Sequence, residues 1–101
     1  MSDERPTVGA ASVPRLARGV RLRFDRARDA WVLLAPERVL MPDEAAVEIL
    51  RRCDGEAAVE AIVGDLCQTY DADRAEVMAD VRAFLQDLAD KGMVTLGTAP
   101  P

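Results

Sequence analysis

An α+β fold, a three-stranded antiparallel sheet followed by three helices, is what this sequence predicts, and two observations carry the prediction. Apolar residues recur at every second position in the stretch that opens with Val20, and at every third or fourth position from Asp43 onward. The chain therefore changes from strand to helix periodicity at one point. Prolines at positions 36 and 42 mark the boundaries, because Pro fixes its own φ and has no N–H to give to a ladder or a helix.

Val20, Leu22 and Phe24 alternate with Arg21 and Arg23, which puts apolar side chains on one face of a strand and guanidinium groups on the other. Residues 25–29 are polar and form a turn. Ala30-Trp31-Val32-Leu33-Leu34 is then a second strand that pairs back as a hairpin, with Trp31 in the core. Beyond Pro36 a short third strand runs from Arg38 to Met41 and stops at Pro42. Asp43 caps the first helix, whose buried stripe is Ala46, Val47, Ile49, Leu50 and Cys53. Asp54-Gly55 is a turn signal. The second helix spans residues 56–69, with Val59, Ile62, Val63, Leu66 and Tyr70 on one face. The third starts at Asp73, where Asp73 and Glu76 have the spacing of a capping box, and buries Val77, Val81, Phe84, Leu85 and Leu88. Gly92 suits the left-handed conformation that ends a helix, and residues 93–96 form a short closing strand. Residues 1–13 lack periodicity and read as a flexible tail, residues 14–96 as one domain, and residues 97–101 as a frayed end. The outline is winged-helix-like.

Composition narrows the function. The 101 residues contain no His, and the only Ser residues are Ser2 and Ser12, so the usual proton shuttle and hydroxyl nucleophile are missing. Binding is expected rather than catalysis. Cys53 and Cys67 have no second pair and no His to complete a metal site. They read as two small buried hydrophobes, with a disulfide as the alternative. No apolar run approaches a membrane span, and the N-terminus has no secretory hydrophobic stretch, which makes the cytoplasm the expected compartment.

Charge is unevenly spread. Residues 15–28 carry net +5 and residues 53–101 net −7. The basic stretch raises nucleic-acid binding as an alternative, but the third helix, which would be its recognition helix, holds Asp73, Glu76, Asp80, Asp87 and Asp90 and would repel phosphates.

Arg21-Leu22-Arg23-Phe24-Asp25, then residues 31–38 (WVLLAPER), then Ile49-Leu50 with Cys53-Asp54-Gly55, then Asp80-Val81 with Phe84-Leu85 and Lys91-Gly92 resemble, in order and spacing, the family of the D protein of pyrroloquinoline quinone (PQQ) biosynthesis. The resemblance covers about residues 14–96. It implies a non-catalytic peptide chaperone, without a cofactor of its own, that captures the precursor peptide of the quinone and presents it to a radical S-adenosylmethionine (SAM) maturase. Neither nucleic acid nor membrane is an expected partner.

In that family the peptide lies along the third strand and against the third helix. Mapped onto this chain, the strand is Arg38, Val39, Leu40 and Met41, and the helix contributes Arg74, Val77, Met78, Val81 and Leu85. Leu40, Val77, Met78 and Val81 are expected as pocket walls, and Arg38 and Arg74 as polar clamps. Strand addition with a few buried side chains, set against the ordering of a flexible peptide, predicts micromolar or tighter affinity. The basic residues Arg21, Arg23, Arg26 and Arg28 are expected to meet the maturase, on a surface apart from the groove. Relatives often carry Thr or Ser where Ala58 stands and Glu where Ala61 stands. Losing that capping box implies a frayed start to the second helix, with Asp54 or the Gly55 turn as a substitute cap.

Overall fold

The computed structural model describes residues 7–98. Their order is β1 (Ser12–Leu16), β2 (Arg21–Asp25), β3 (Ala30–Ala35), β4 (Arg38–Leu40), α1 (Glu44–Leu50), α2 (Val59–Thr69), α3 (Arg74–Asp90) and β5 (Val94–Thr98). The alternating half of the chain folds as its period dictates: β2, β3 and β4 form one antiparallel sheet in that order. Leu22 stands opposite Leu33 and Leu33 opposite Leu40, so three leucines cross the inner face in a row, with Leu33 fully buried at the centre. With the three helices this makes the winged-helix-like α+β fold.

The next cross-strand pair, Phe24 and Trp31, lies nearer the hairpin turn and joins no part of the core. The rings meet edge to face at 5.6 Å and 72°, with Trp31 only half-buried and Phe24 42% exposed. The expectation of a core Trp is corrected accordingly, since the hairpin end carries this pair beyond the helical layer.

Residues 7–13 are not a tail. Val8 is 2% exposed, and two side chains of α3 hold its backbone from both sides: Gln86 Oε1 accepts from the Val8 N–H at 2.9 Å, and Arg82 Nε donates to the Val8 carbonyl at 3.0 Å. β1 then pairs antiparallel with β5 in a second, two-stranded sheet. Gly97 and Thr98, read as frayed, belong to β5. The rest of both expectations, residues 1–6 and 99–101, lies outside the described residues.

The helix caps follow from side-chain chemistry. Asp43 Oδ1 accepts from the Ala46 N–H at 2.8 Å, and Asp73 Oδ2 accepts from the Glu76 N–H at 3.1 Å. Each satisfies a first-turn amide that has no partner within its helix. α2 begins at Val59, three residues later than its periodicity suggests, and its N-cap residue Ala58 makes no side-chain cap. Asp54 Oδ1 instead binds the Glu56 and Ala57 amides in the preceding turn at 2.8 and 3.0 Å. The Glu60 N–H finds the Ala10 carbonyl at 2.9 Å. The N-terminal segment thus caps α2 across space. At its other end α2 stops at Tyr70, whose φ of −120° and ψ of 117° take it out of helical register. That explains why Tyr70 is exposed rather than part of the apolar stripe.

Arg52 ties α1 to α2, with Nη1 on Glu48 Oε1 at 2.8 Å and Nε on Asp65 Oδ2 at 2.6 Å. Both bonds favour its charged form. Cys53 is buried and Cys67 half-buried, and both are free thiols. Cys53 Sγ donates to the Ile49 carbonyl at 3.3 Å. Burial, aided by the charge of Asp54, pushes its thiol up from 9.0 to about 12. Between those values the unfolded thiol has lost its proton while the folded one keeps it, so stability is intact below about pH 9 and falls as pH rises from there towards 12. Denaturant midpoints measured across that range should decline, and the Cys53 part of the decline should be absent in a Cys53→Ala variant.

Candidate functional site

β4 is the outer strand of its sheet and is only three residues long. Ala35 pairs with Arg38 across the two-residue Pro36-Glu37 loop, and such a turn closes with a hydrogen bond between its first and fourth residues. Bonding alternates along an antiparallel ladder. The bonds to β3 therefore fall to Arg38 and Leu40, and the N–H and C=O of Val39 face the open side. The Val39 side chain, 54% exposed, stands on the outer sheet face opposite Leu34.

Beside this edge is a depression of about 440 Å³ between Leu40 and Met41 on the strand side, Ala45, Ala46, Ile49 and Leu50 of α1, and Asp80, Phe84, Asp87 and Leu88 of α3. Leu33 forms part of its lining. A second depression of about 410 Å³ lies further along, between α1, the end of α2 at Leu66 and Tyr70, and Val77 and Val81 of α3. Ala45, Ile49 and Asp80 line both. The two form one trough between α1 and α3, running from the open strand edge towards Tyr70.

The structure gathers some of the expected residues and separates others. Arg38, Val39, Leu40 and Met41 lie at the edge as read, with Leu40 and Met41 lining the first depression; β4 itself ends at Leu40. Val77 and Val81 line the second depression, Val81 with its side chain buried. Met78 and Leu85 line neither: at ~100° per residue they sit on the flank of α3 turned away from Asp80 and Phe84. Leu85 is 0% exposed and belongs to the core, and Met78 packs against that core. Arg74, expected as a polar clamp, lines neither depression and reaches the Glu60 carbonyl of α2 at 3.4 Å.

Sequence reasoning missed Asp80, Phe84, Asp87 and the α1 residues Ala45, Ala46 and Ile49. Asp80, Phe84 and Asp87 follow i, i+4, i+7 spacing, a helical stripe next to the buried one. The α1 residues gave no separate signal, since a trough wall and a core stripe share one apolar pattern.

Arg21, Arg23, Arg26 and Arg28 are all exposed on the β2–β3 hairpin. They are not wholly apart from the trough. Arg28 at the hairpin turn donates to Met41 Sδ at 3.8 Å and pairs with Asp25 at 3.6 Å.

Among the described residues no polar or charged side chain is buried, no group of His, Cys, Asp or Glu has metal-site geometry, and no helix is long and apolar enough to cross a membrane. An open sheet edge beside an apolar trough is the architecture of a module that takes up an extended chain by strand addition.

Residues 30–94 match the model of the family described as coenzyme PQQ synthesis protein D (PqqD). A relative from Rhodopseudomonas palustris BisB5, described as a PqqA binding protein, is 57% identical over 95 residues, covering 94% of this chain and 93% of the relative. A bifunctional coenzyme PQQ synthesis protein C/D from Methylorubrum extorquens AM1 is 52% identical over 87 residues, which are 85% of this chain and 23% of that longer protein. The solution structure of the PqqD part of Methylobacterium extorquens PqqCD, described as a stand-alone recognition element for ribosomally synthesized and post-translationally modified peptides, superposes with a TM-score of 0.76 at 47% identity. The match covers 88% of this chain and 95% of that one. This chain belongs to the PqqD family. None of these relatives supports the nucleic-acid alternative.

Proposed function

We propose that this protein is a non-catalytic peptide chaperone of PQQ biosynthesis, which binds the precursor peptide PqqA as an added strand on β4 and presents it, in the cytoplasm, to a radical SAM maturase. What carries this reading is the strand register, which turns the Val39 backbone outward, next to a depression lined by its neighbour Leu40. Support also comes from relatives described as PqqA binding proteins and from a relative fused to another PQQ synthesis protein. The geometry offers a hydrogen-bonding edge and apolar surface, which are means of holding a chain rather than of cutting or joining one.

Titration of isotope-labelled protein with synthetic PqqA tests the reading. Amide shifts should concentrate at residues 38–41 and along the facing sides of α1 and α3. Saturating peptide that leaves those amides unmoved would overturn it.

The basic hairpin supplies a separate surface for the maturase, through Arg21, Arg23 and Arg26. Arg28 is excluded by its contact with Met41. Charges at the rim of an interface act mainly on association rate and salt dependence. Joint replacement of Arg23 and Arg26 by Glu should therefore slow formation of the ternary complex about tenfold or more at low salt, with PqqA affinity unchanged. Stopped-flow mixing with the maturase measures both quantities.

A further inference from the structure

The ionisable side chains of the trough share one sign. Around the first depression they are Asp43, Asp80 and Asp87, and around the second Glu44, Glu48 and Asp80, with the ring of Tyr70 at the far end. No Lys or Arg lines either depression.

Three of these carboxylates are already engaged. Asp43 caps α1, Glu48 holds Arg52 at 2.8 Å, and Asp87 holds Lys91 at 2.9 Å. Asp80 and Glu44 make no hydrogen bond or ion pair among the described residues. Of the five carboxylates only Asp80 borders both depressions, so a segment lying along the trough passes it.

We propose that the trough is selective for a peptide segment carrying a Lys or Arg between apolar residues, with that cation seated at Asp80. This rests on the peptide-binding reading above and adds to it the chemical character of the bound segment. An anionic segment would meet five carboxylates among the lining residues, with the nearby cations Arg52 and Lys91 already paired to Glu48 and Asp87 and Arg28 to Asp25. A cationic one would find a carboxylate with no competing partner, next to the apolar walls of Ile49 and Phe84, where the long aliphatic stem of Lys or Arg can pack. The remaining acidic side chains add to the attraction at longer range.

The test is a calorimetric double-mutant cycle. Wild-type protein, Asp80→Asn and Val39→Pro are titrated with synthetic PqqA and with PqqA peptides in which each Lys or Arg is replaced by Gln in turn. Asp80 is exposed and makes no structural bond, and thermal melts check that Asp80→Asn folds normally. Asp80→Asn is expected to weaken native PqqA about tenfold and to flatten the salt dependence. One Lys or Arg replacement should weaken binding to wild type by a similar factor and have little effect on Asp80→Asn. Unchanged affinity in Asp80→Asn, or equal losses from that peptide replacement in both proteins, overturns this inference. If Val39→Pro still weakens binding in those cases, the strand-addition reading stands; if Val39→Pro is also silent, that reading falls with it.

Discussion

Val39→Pro should weaken PqqA binding about 10- to 100-fold while leaving the domain folded. The proline ring removes the one N–H of β4 that faces outward, whereas the bonds to β3 belong to Arg38 and Leu40 and remain. Edge strands tolerate Pro where the missing N–H faces solvent. In the complex, however, a carbonyl of the added strand would lose its donor, and an unsatisfied buried acceptor costs about 1–3 kcal/mol, with tenfold for each 1.4. Val39→Thr keeps the backbone and should bind nearly as wild type. Calorimetry on the two variants separates backbone pairing from side-chain contact. Leu40 is a poorer probe of the same idea. It stands beside the buried Leu33 and packs on the core, so a charge there would disturb folding and binding together.

Leu85→Ala should act in the opposite sense, lowering stability by about 2–5 kcal/mol without lowering the peptide affinity of the molecules that remain folded. Leu85 is 0% exposed in the middle of α3 and touches neither depression. Truncating it leaves a cavity that close-packed neighbours fill only in part. For a domain of this size each kcal/mol lost lowers Tm by about 4–8 °C. Urea unfolding should show a lower midpoint at unchanged slope, the signature of lost stability in an intact two-state transition. A peptide-specific loss without destabilisation would return Leu85 to the groove.

Local features were legible in the sequence wherever one stretch of chain decides them. The β2–β3–β4 meander follows from alternation broken by Pro36. The starts of α1 and α3 follow from Asp43 and Asp73, whose short carboxylates bind first-turn amides. The end of α3 follows from Gly92, which takes a φ of +76°. Features that depend on distant partners were not legible. Nothing around Val8 announces that Arg82 and Gln86 will hold its backbone, and β1 finds its partner in β5, more than seventy positions away. The candidate site divided in the same way. Its strand residues stand at the sheet edge, because an edge is a local consequence of a short strand after a Pro turn. On the helix side Phe84 lines the trough and Met78 does not, because both are apolar neighbours of one buried stripe and only the position of α1 decides which of them faces it.

The pairing of Ser12 with Thr98 places the last described residue in a ribbon that is separate from the sheet bearing β4. A second polypeptide genetically spliced beyond Thr98 would continue from that ribbon, so tethering there need not obstruct the strand proposed to hold a guest chain. Covalent linkage of this kind raises the local concentration of a pathway neighbour, and the geometry accommodates such tandem genes without redesign of the fold.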